Sequence, residues 1–281
     1  MKKYFTIFAF LGAFQSFGQN ISYLENTVMF SNPAATSKYK LFTSTNMGGK
    51  FSYSQATNFR YSLRANNYTK VQVKNFQFGA GFNTFQSNFY RNGSFQLDAN
   101  YTFHLSRFLN LSVGVGGRTN KFKYVLEDEE SNLITGINSG IMLEGRKWRA
   151  GVAYSNINQP EIQFSNDTNR IRPTISLYGE YRFKINENWS VTPQVHLHNN
   201  NLLAFGIGAT AYYKKFQFGG TYGFRTVSTF LGYTFKDKYM LGLITNVNFN
   251  SNSKPYVNSQ INFTYIIPRK KEKIPPPLPS F

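Results

Sequence analysis

Segments of about ten residues in which apolar and polar side chains alternate recur along most of the chain. In "SFQLDANYTFHL", which begins at Ser94, Phe95, Leu97 and Tyr101 share one face, and the residues between them are polar or small. Successive side chains of a β-strand point to opposite faces, so this period of two collects the apolar groups on one side of a sheet. The pattern predicts strands that separate an apolar surface from a polar one.

The same alternation appears in "TISLYGEYRF" from Thr174, "WSVTPQVHLH" from Trp189, "FQFGGTYGF" from Phe216 and "SQINFTY" from Ser259. About fourteen such segments, each of roughly ten residues, begin near Tyr39, Asn58, Asn75, Ser94, Phe108, Ile137, Trp148, Arg172, Trp189, Leu202, Phe216, Val227, Tyr239 and Asn258. The fold class predicted is therefore all-β, as a transmembrane antiparallel up-and-down β-barrel whose apolar face meets lipid and whose closure leaves no unpaired edge. A soluble β-sandwich is the alternative, but it favours shorter strands and cores of Leu, Ile and Val.

Composition agrees with a barrel in a membrane. Aromatic residues make up 18% of the chain and charged residues only 16%, a combination that soluble helical domains rarely show. There is no cysteine, which fits an oxidising compartment in which the fold needs no disulfide.

The first eighteen residues are expected to be a secretory signal peptide. Lys2 and Lys3 precede an apolar run from Tyr4 to Phe14, and small residues follow at Ser16 and Gly18. Cleavage is expected before Gln19. A short membrane anchor is the alternative, but the run falls well below the roughly 20 residues that span a bilayer.

The lengths of the connections predict an orientation. Short polar turns such as Ser106-Arg107 and Lys214-Lys215 alternate with longer connections such as "YVLEDEESNLITG". Outer-membrane barrels have short periplasmic turns and longer external loops, and an even number of strands returns the chain to its starting side. Both termini are therefore expected in the periplasm. Trp148 and Trp189 follow short turns and fit an aromatic girdle at that interface.

These features divide the chain into a signal peptide (1–18), an N-terminal periplasmic lead-in (19–38), a barrel (39–267) and a basic, proline-rich periplasmic tail (268–281). Within the lead-in, Asn32, Pro33 and Ala34 are candidates for docking, because Pro33 fixes its own φ and the small Ala34 allows close backbone packing. The segment is expected to pack against the barrel wall or its periplasmic mouth. A plain turn before the first strand is the alternative.

The tail is predicted to be a periplasmic contact arm. Its candidate residues are Arg269, Lys270, Lys271, Pro276 and Phe281. A basic run followed by several prolines favours a stiff polyproline conformation, which loses little entropy when it docks in a groove. A tail without a partner is the alternative.

Charged residues on the predicted polar faces are expected to pair across the lumen. The candidate network comprises Arg60, Arg64, Asp98, Glu180, Arg182 and Arg225. Opposed charges in a confined space form hydrogen-bonded pairs, so the lumen is predicted to be plugged or too narrow for free diffusion.

No pattern indicates catalysis or a cofactor. His196 and His198 lie two apart on one polar face, which permits metal binding, but two polar lumen residues are the simpler interpretation. The acidic run 127–130 lacks the spaced ligands of a calcium loop and is expected in an external loop. The glycines of "GVGGRTNK" lie within a strand and do not form a phosphate loop. The chain is predicted not to be an enzyme and to need no cofactor.

The formal net charge of +18 is spread over turns, loops and polar faces, without a recognition helix. Nucleic acid is therefore not an expected partner. Outer-membrane lipid and anionic glycolipid, periplasmic glycan or an acidic protein fit this distribution.

Several stretches resemble a known family. They are "FSNPAATSKYK" before the first strand, "RKWRAGVAYSNINQPEIQF" from Arg146, "EYRFKINENWSVTPQV" from Glu180, "YYKKFQFGGTYGFRTVSTFLGYTFKDKYMLG" from Tyr212 and the closing "NSQINFTY". Their order and spacing are similar to those of the PorP/SprF family, outer-membrane components of the type IX secretion system of Bacteroidetes. The sequence departs from the pattern where it continues past its last strand as "IPRKKEKIPPPLPSF".

The resemblance implies an outer-membrane location in a Gram-negative cell. It also implies a role in secreting or anchoring a large surface protein, such as a gliding adhesin, or in coupling to periplasmic secretion components. A passive porin or small-solute transporter shares the barrel and is the alternative. An outer-membrane lipid hydrolase is disfavoured, because its serine and histidine would have to face lipid.

Overall fold

The computed structural model describes residues 31–37, 39–54, 58–125, 128–164, 167–200, 202–223, 226–236, 238–249 and 256–268. Most of these residues lie in β-strands. In the part of the chain that is described, no helix has the length and apolar character needed to cross a membrane, and this finding has no bearing on crossing by strands.

The strands follow one another along the chain with short connections. They are β1 (Tyr39–Ser54), β2 (Asn58–Val73), β3 (Phe76–Ser87), β4 (Tyr90–Ser106), β5 (Leu109–Tyr124), β6 (Glu129–Glu130), β7 (Ile134–Glu144), β8 (Trp148–Ser155), β9 (Glu161–Phe164), β10 (Asp167–Arg170), β11 (Thr174–Tyr181), β12 (Phe183–Lys184), β13 (Trp189–Asn200), β14 (Leu202–Tyr213), β15 (Phe216–Gly223), β16 (Thr226–Phe235), β17 (Tyr239–Asn248) and β18 (Tyr256–Pro268).

Fourteen of these strands close into one antiparallel barrel. The first strand pairs with the last, from Tyr39 opposite Pro268 to Gly49 opposite Ser259. On the far side, β11 pairs with both β8 and β13, which completes the ring. The short β6 extends the pairing of β5, β9 and β10 form a separate hairpin, and β12 pairs with β13 beyond β11. The predicted all-β barrel of about fourteen strands is confirmed.

Several strands begin a few residues before their predicted positions. The strand expected from Ser94 begins at Tyr90, and the one expected from Ile137 begins at Ile134. The backbone ladder at these ends continues past the last clear alternation, because pairing with a neighbouring strand does not require an apolar side chain. The structure places the last paired residue of the barrel at Pro268.

The two faces of the barrel differ as the alternation predicts. On β4, the Phe95 side chain is 49% exposed on the outer face and Gln96 is 3% exposed on the inner face. Exposed apolar residues of the outer face include Phe78, Phe82, Leu97, Val115, Ile137, Leu177, Phe205, Leu231, Leu243 and Ile261. Buried polar residues of the inner face include Ser44, Asn46, Asn66, Gln77, Asp98, Asn100, Thr192, Thr210, Asn246 and Asn262. An apolar exterior around a polar lumen is the arrangement that lipid requires.

Tyr39 and Pro268 mark one end of the barrel, which we call the terminal end; the opposite end is the loop end. Aromatic rings cluster at the terminal end. Trp189 lies 4.5 Å from Tyr213 and 5.9 Å from Phe218 between ring centroids. Trp148 also lies there, at the start of β8. Rings at this level fit a membrane interface, where an aromatic side chain keeps one edge in water.

Candidate functional site in the barrel lumen

Residues 31–37 lie against the inner wall of the barrel, and we call them the lumenal lead-in. Asn32 is 3% exposed, Ala34 0% and Ser37 1%. Ala34 and Ala35 join an apolar cluster with inward-facing side chains of four strands, which are Phe42, Tyr68, Met142 and Tyr178. A fourteen-stranded barrel has an interior wider than its own side chains fill, because about eight strands already suffice for that. The lead-in occupies part of this space.

Asn32 connects the lead-in to β7 and β8. Its Nδ2 donates hydrogen bonds to the carbonyl oxygens of Ile141 and Val152, each at 3.3 Å. Its Oδ1 accepts a hydrogen bond from the Ala34 amide at 2.9 Å, and its backbone oxygen accepts one from Ala35 at 3.0 Å. A side-chain amide both donates and accepts, so one residue closes the local turn and binds the wall.

Lys70 holds the next part of the lead-in. Its Nζ donates to the carbonyl oxygen of Ala35 at 2.6 Å. Asn100 on β4 donates from Nδ2 to the Pro33 oxygen at 3.0 Å. Proline at position 33 removes a backbone donor that would otherwise need a buried acceptor, and its carbonyl remains available to the wall.

The charge of Lys70 is balanced within the wall. Its Nζ lies 3.2 Å from Oδ1 of Asp98, and both side chains are fully buried. Tyr68 donates its hydroxyl to Asp98 at 2.7 Å, and Gln96 donates its amide at 3.4 Å. Arg118 in turn donates to Gln96. Burying a charge is costly unless it is paired. Here the ion pair with Lys70 compensates Oδ1 of Asp98, and the two hydrogen bonds compensate its Oδ2.

The last residues of the lead-in are bound on both sides. Thr36 donates its hydroxyl to Glu144 on β7 at 2.8 Å. The Ser37 amide donates to Oε1 of Gln77 at 2.8 Å, and Nε2 of Gln77 donates back to the Ser37 carbonyl at 3.3 Å. The lead-in is thereby attached to both β3 and β7 before the chain enters β1.

Two glycines of the wall allow this close approach. A Cβ atom added at Gly114 would lie 2.5 Å from the backbone nitrogen of Ala34, and one at Gly140 would lie 2.0 Å from Oδ1 of Asn32. Contacts that short do not occur between real Cβ atoms and their neighbours. Gly114 begins the "GVGGRTNK" segment, so its position is explained by the lead-in that lies against it and not by a phosphate.

The structure separates the candidate charge network into several groups. Arg64 donates to Asn83 at 3.1 Å, and Asp98 belongs to the Lys70 cluster. Glu180 pairs with Arg149 and accepts the Tyr178 hydroxyl. Arg182 is exposed at the end of β11, with its guanidinium 5.4 Å from the Tyr212 ring. For Arg60 only the backbone pairing with Ser52 is described, and Arg225 lies outside the described residues.

Three cations of the lumen were not among the candidates from the sequence. Lys70, Arg118 and Arg149 each contact an anionic or amide partner named above, and each lies on the inward-facing positions of its strand. The alternation of β2 supplied a signal for Lys70, because it is two residues from the inward Tyr68. Nothing in the local pattern identifies which of the inward cations meets the lead-in.

The histidines form no metal centre. His198 shares a hydrogen bond with Ser176 at 2.7 Å, and His196 packs against the Tyr178 ring at 5.0 Å. Among the described residues, no group of three or more metal-ligating side chains comes together.

The acidic run forms ion pairs at the loop end. Its Asp128 lies 2.6 Å from Lys123, and the hydrogen bond from Lys123 lowers the pKa of that carboxyl. Glu127 and the tail candidates Arg269, Lys270, Lys271, Pro276 and Phe281 lie outside the described residues, as does the expected signal peptide.

Solved outer-membrane proteins share the architecture. The toluene transporter TbuX of Ralstonia pickettii superposes with a TM-score of 0.58 at 12% identity, over 86% of this chain and 93% of that one. The toluene transporter TodX of Pseudomonas putida superposes with a TM-score of 0.54 at 11% identity, over 86% and 93%. Identities this low show a common fold. No curated protein matches the sequence.

Residues 15–265 match the family described as type IX secretion system membrane protein PorP/SprF. The match spans all of the described barrel except the last residues of β18. Together with the fold, it assigns the protein to the outer membrane and confirms the predicted location. This chain belongs to the PorP/SprF family of type IX secretion system membrane proteins.

Proposed function

We propose that the protein helps to secrete or anchor a large surface protein, such as a gliding adhesin, and couples that process to periplasmic secretion components. In this role it binds and positions other proteins and catalyses no reaction. Family membership supports a part in type IX secretion. The observation that carries the proposal is the lumenal lead-in, which is buried against the inner wall and takes up part of the space that a diffusing solute would need.

A passive pore is the competing function. Porin lumens are water-filled, whereas here the Lys70–Asp98 pair, Asn100 and Gln77 are all buried beneath or beside the lead-in. The lead-in packs directly against Gly114 and Gly140, where any larger residue would collide with it. The barrel sequence therefore leaves room for the lead-in at this position. The lumen serves to hold a segment of the protein's own chain, which favours a binding role over free diffusion.

We infer the orientation from the lengths of the connections. The longest connection of the barrel, residues 156–173 between β8 and β11, lies at the loop end, whereas the lead-in enters β1 at Tyr39 at the terminal end. We place this end in the periplasm, since outer-membrane barrels keep their short turns there. The loop end, with the β9–β10 hairpin, then faces the cell exterior, where a secreted protein emerges.

The test is a deletion strain complemented with the wild-type gene, and its readout is mass spectrometry of peptides shaved from intact cells. We expect loss of at least one large surface protein in the deletion strain and its return with the wild-type gene. Unchanged surface proteins in the deletion strain would contradict the proposal.

Conductance measurements separate the pore alternative. The purified protein in a planar bilayer is expected to give no large, steady currents with the lead-in present. Large currents from the wild-type protein, together with an unchanged surface proteome, would establish the passive pore instead.

A further inference from the structure

The outer wall of the barrel carries a depression near the loop end of β1 to β4, with a volume of about 660 Å³. Its outward-facing lining includes Met47, Leu63, Ala65, Thr84 and Gly93. Met47 is 59% exposed and Leu63 44%. The depression therefore opens towards the surroundings of the barrel, away from the lumenal lead-in.

Strand register explains why the wall is recessed here. Ala65 on β2 lies opposite Thr84 on β3, which lies opposite Gly93 on β4, so three small residues form a continuous floor. The next outward pair towards the terminal end is Phe82 and Phe95, whose large rings bound the floor on that side. A row of small side chains beside a row of large ones leaves a groove in an apolar surface.

An arginine stands at the loop-end edge of this groove. Arg91 lies on the same outward face of β4 as Gly93, two residues nearer the loop end. Its exposed side chain has no hydrogen-bond or ion-pair partner among the described residues. The neighbouring outward cations differ, since Lys121 lies 2.6 Å from Glu130 and Lys123 lies 2.6 Å from Asp128. Arg91 is therefore available for an anion from outside the chain.

The height of Arg91 in the membrane matches a lipid headgroup. Phe103, on the outward face of β4, belongs to the aromatic contacts at the terminal end. A tilted strand crosses the hydrocarbon in about 9–11 residues. Counting about ten residues from Phe103 reaches Gly93, so the floor of the groove lies at the edge of the hydrocarbon and Arg91, two residues further, lies in the polar layer.

We propose that the groove binds one acyl chain of an anionic glycolipid of the outer leaflet and that Arg91 binds its phosphate group. Guanidinium groups pair with phosphate through two parallel hydrogen bonds, which gives the site a preference for phosphate over neutral headgroups. The apolar floor accepts the chain of the same molecule. The choice of the outer leaflet rests on the orientation given under Proposed function, whereas binding of lipid at this groove does not.

The test measures lipid retention by the purified full-length protein in detergent, by native mass spectrometry, after incubation with bisphosphorylated lipid A. Two variants address the two parts of the site: Arg91→Gln removes the cation, and Gly93→Leu fills the floor, where an added Cβ meets nothing within 4 Å. Each is expected to lower the apparent affinity about tenfold: Arg91→Gln because the charge-assisted hydrogen bonds to phosphate are lost, and Gly93→Leu because the leucine side chain takes the space of the acyl chain.

Matched controls change the same residue types elsewhere. Gly117→Leu places leucine at an outward position of β5 that is equally open, and Arg107→Gln removes an arginine beside Phe108 at the terminal end. Both controls should bind lipid A as the wild-type protein does. Equal retention by wild type, Arg91→Gln and Gly93→Leu would overturn the site.

The same measurement with other ligands identifies which molecule supplies the phosphate group. Dephosphorylated lipid A should bind about tenfold more weakly to the wild type and be insensitive to Arg91→Gln. Inorganic phosphate alone should not compete, because it leaves the floor empty. Preferential retention of phosphatidylglycerol would overturn the assignment to the outer leaflet. Because the measurement uses purified protein, its failure leaves the secretion proposal intact, and unchanged surface proteins in the deletion strain leave the lipid site intact.

Discussion

At the scale of single residues, the packing of the lumen depends on a few buried polar side chains, in which each charge is compensated by a neighbouring group. Lys70 contacts the lead-in and Asp98 at once, and Tyr68 donates to the same carboxylate. Gly79 makes room for this arrangement, because a Cβ there would lie 2.2 Å from the Tyr68 hydroxyl. Removing one partner leaves the other charge buried without compensation, which costs more than the pair contributes.

Lys70→Met is therefore expected to destabilise the barrel by about 3–5 kcal/mol. The measurement is the temperature at which the folded, fast-migrating gel band converts to the unfolded one, which should fall. Lys74→Met, in the exposed turn after β2, is the control and should leave that temperature unchanged.

The double variant Lys70→Met/Asp98→Asn should recover part of the loss, because the uncompensated carboxylate is gone. A single variant as stable as the wild type would show that the ion pair is not needed to hold the lumen together.

At the scale of elements, the lead-in behaves as an inner component of the barrel and not as a turn before β1. Its contacts reach β2, β3, β4, β7 and β8, so its position requires the assembled wall. The backbone of Pro33 and Ala34 lies directly against the backbone of Gly114. Docking of Asn32, Pro33 and Ala34 to a partner protein stays a prediction, since these residues are buried against their own barrel.

Cysteine labelling tests whether the lead-in stays in the lumen. The chain has no cysteine, so Ser37→Cys introduces a single thiol of similar size at a position that is 1% exposed. In an otherwise wild-type barrel this thiol should react slowly with a membrane-impermeant maleimide. Adding Gly114→Leu should displace the lead-in and raise the labelling rate about tenfold or more.

Adding Gly117→Leu to Ser37→Cys is the matched control, because that position is open on the outer face. It should label as slowly as Ser37→Cys alone. Rapid labelling of Ser37→Cys in the folded wild-type background would mean that the lead-in leaves the lumen freely.

At the scale of the whole molecule, the pairing of the first and last strands indicates which residues can be deleted without opening the barrel. The pairing of β1 with β18 runs from Gly49 opposite Ser259 to Tyr39 opposite Pro268, so every described strand of the barrel ends before residue 269. The tail lies beyond this seam, and its predicted role as a periplasmic contact arm stays untested. Pro268 has no N–H to donate, so it does not extend the backbone pairing of β18 any further. The closed barrel is therefore compatible with additional residues after Pro268.

Deletion of residues 269–281 is expected to leave a heat-modifiable barrel in the outer membrane and to reduce co-purification of periplasmic secretion components. The reason is that the removed residues are basic and proline-rich in sequence and follow the last described strand of the barrel. Co-purification is measured by quantitative mass spectrometry of cross-linked, detergent-solubilised membranes, with a variant that replaces the four basic residues of 269–273 by glutamine as a test of charge.

If the truncated protein assembles and retains its partners at the wild-type level, the tail has no contact role. If it fails to reach the membrane in folded form, the deleted residues act in assembly, and the contact-arm prediction is wrong.

The strands, their two faces and the family were all predictable from the amino-acid sequence. Alternation is a local property, because each residue of a strand points to the face opposite its neighbours whatever the rest of the chain does. That is why Phe95 and Gln96 were assigned correctly, and why an even number of strands followed from counting segments.

The contacts inside the lumen, in contrast, were not predictable before the strands were assembled. Asn32 binds carbonyl groups 109 and 120 residues away in the chain. Asp98 on β4 pairs with Lys70 on β2, two strands away. Glu180 pairs with Arg149 on the neighbouring strand and not with Arg182, which is only two residues away in sequence. Which inward side chains meet depends on the register and closure of all the strands together, because a shift of one position turns every side chain of a strand to the other face. The local alternation predicts which side chains face inwards. Which of these side chains come within hydrogen-bonding distance of one another depends on the closed barrel.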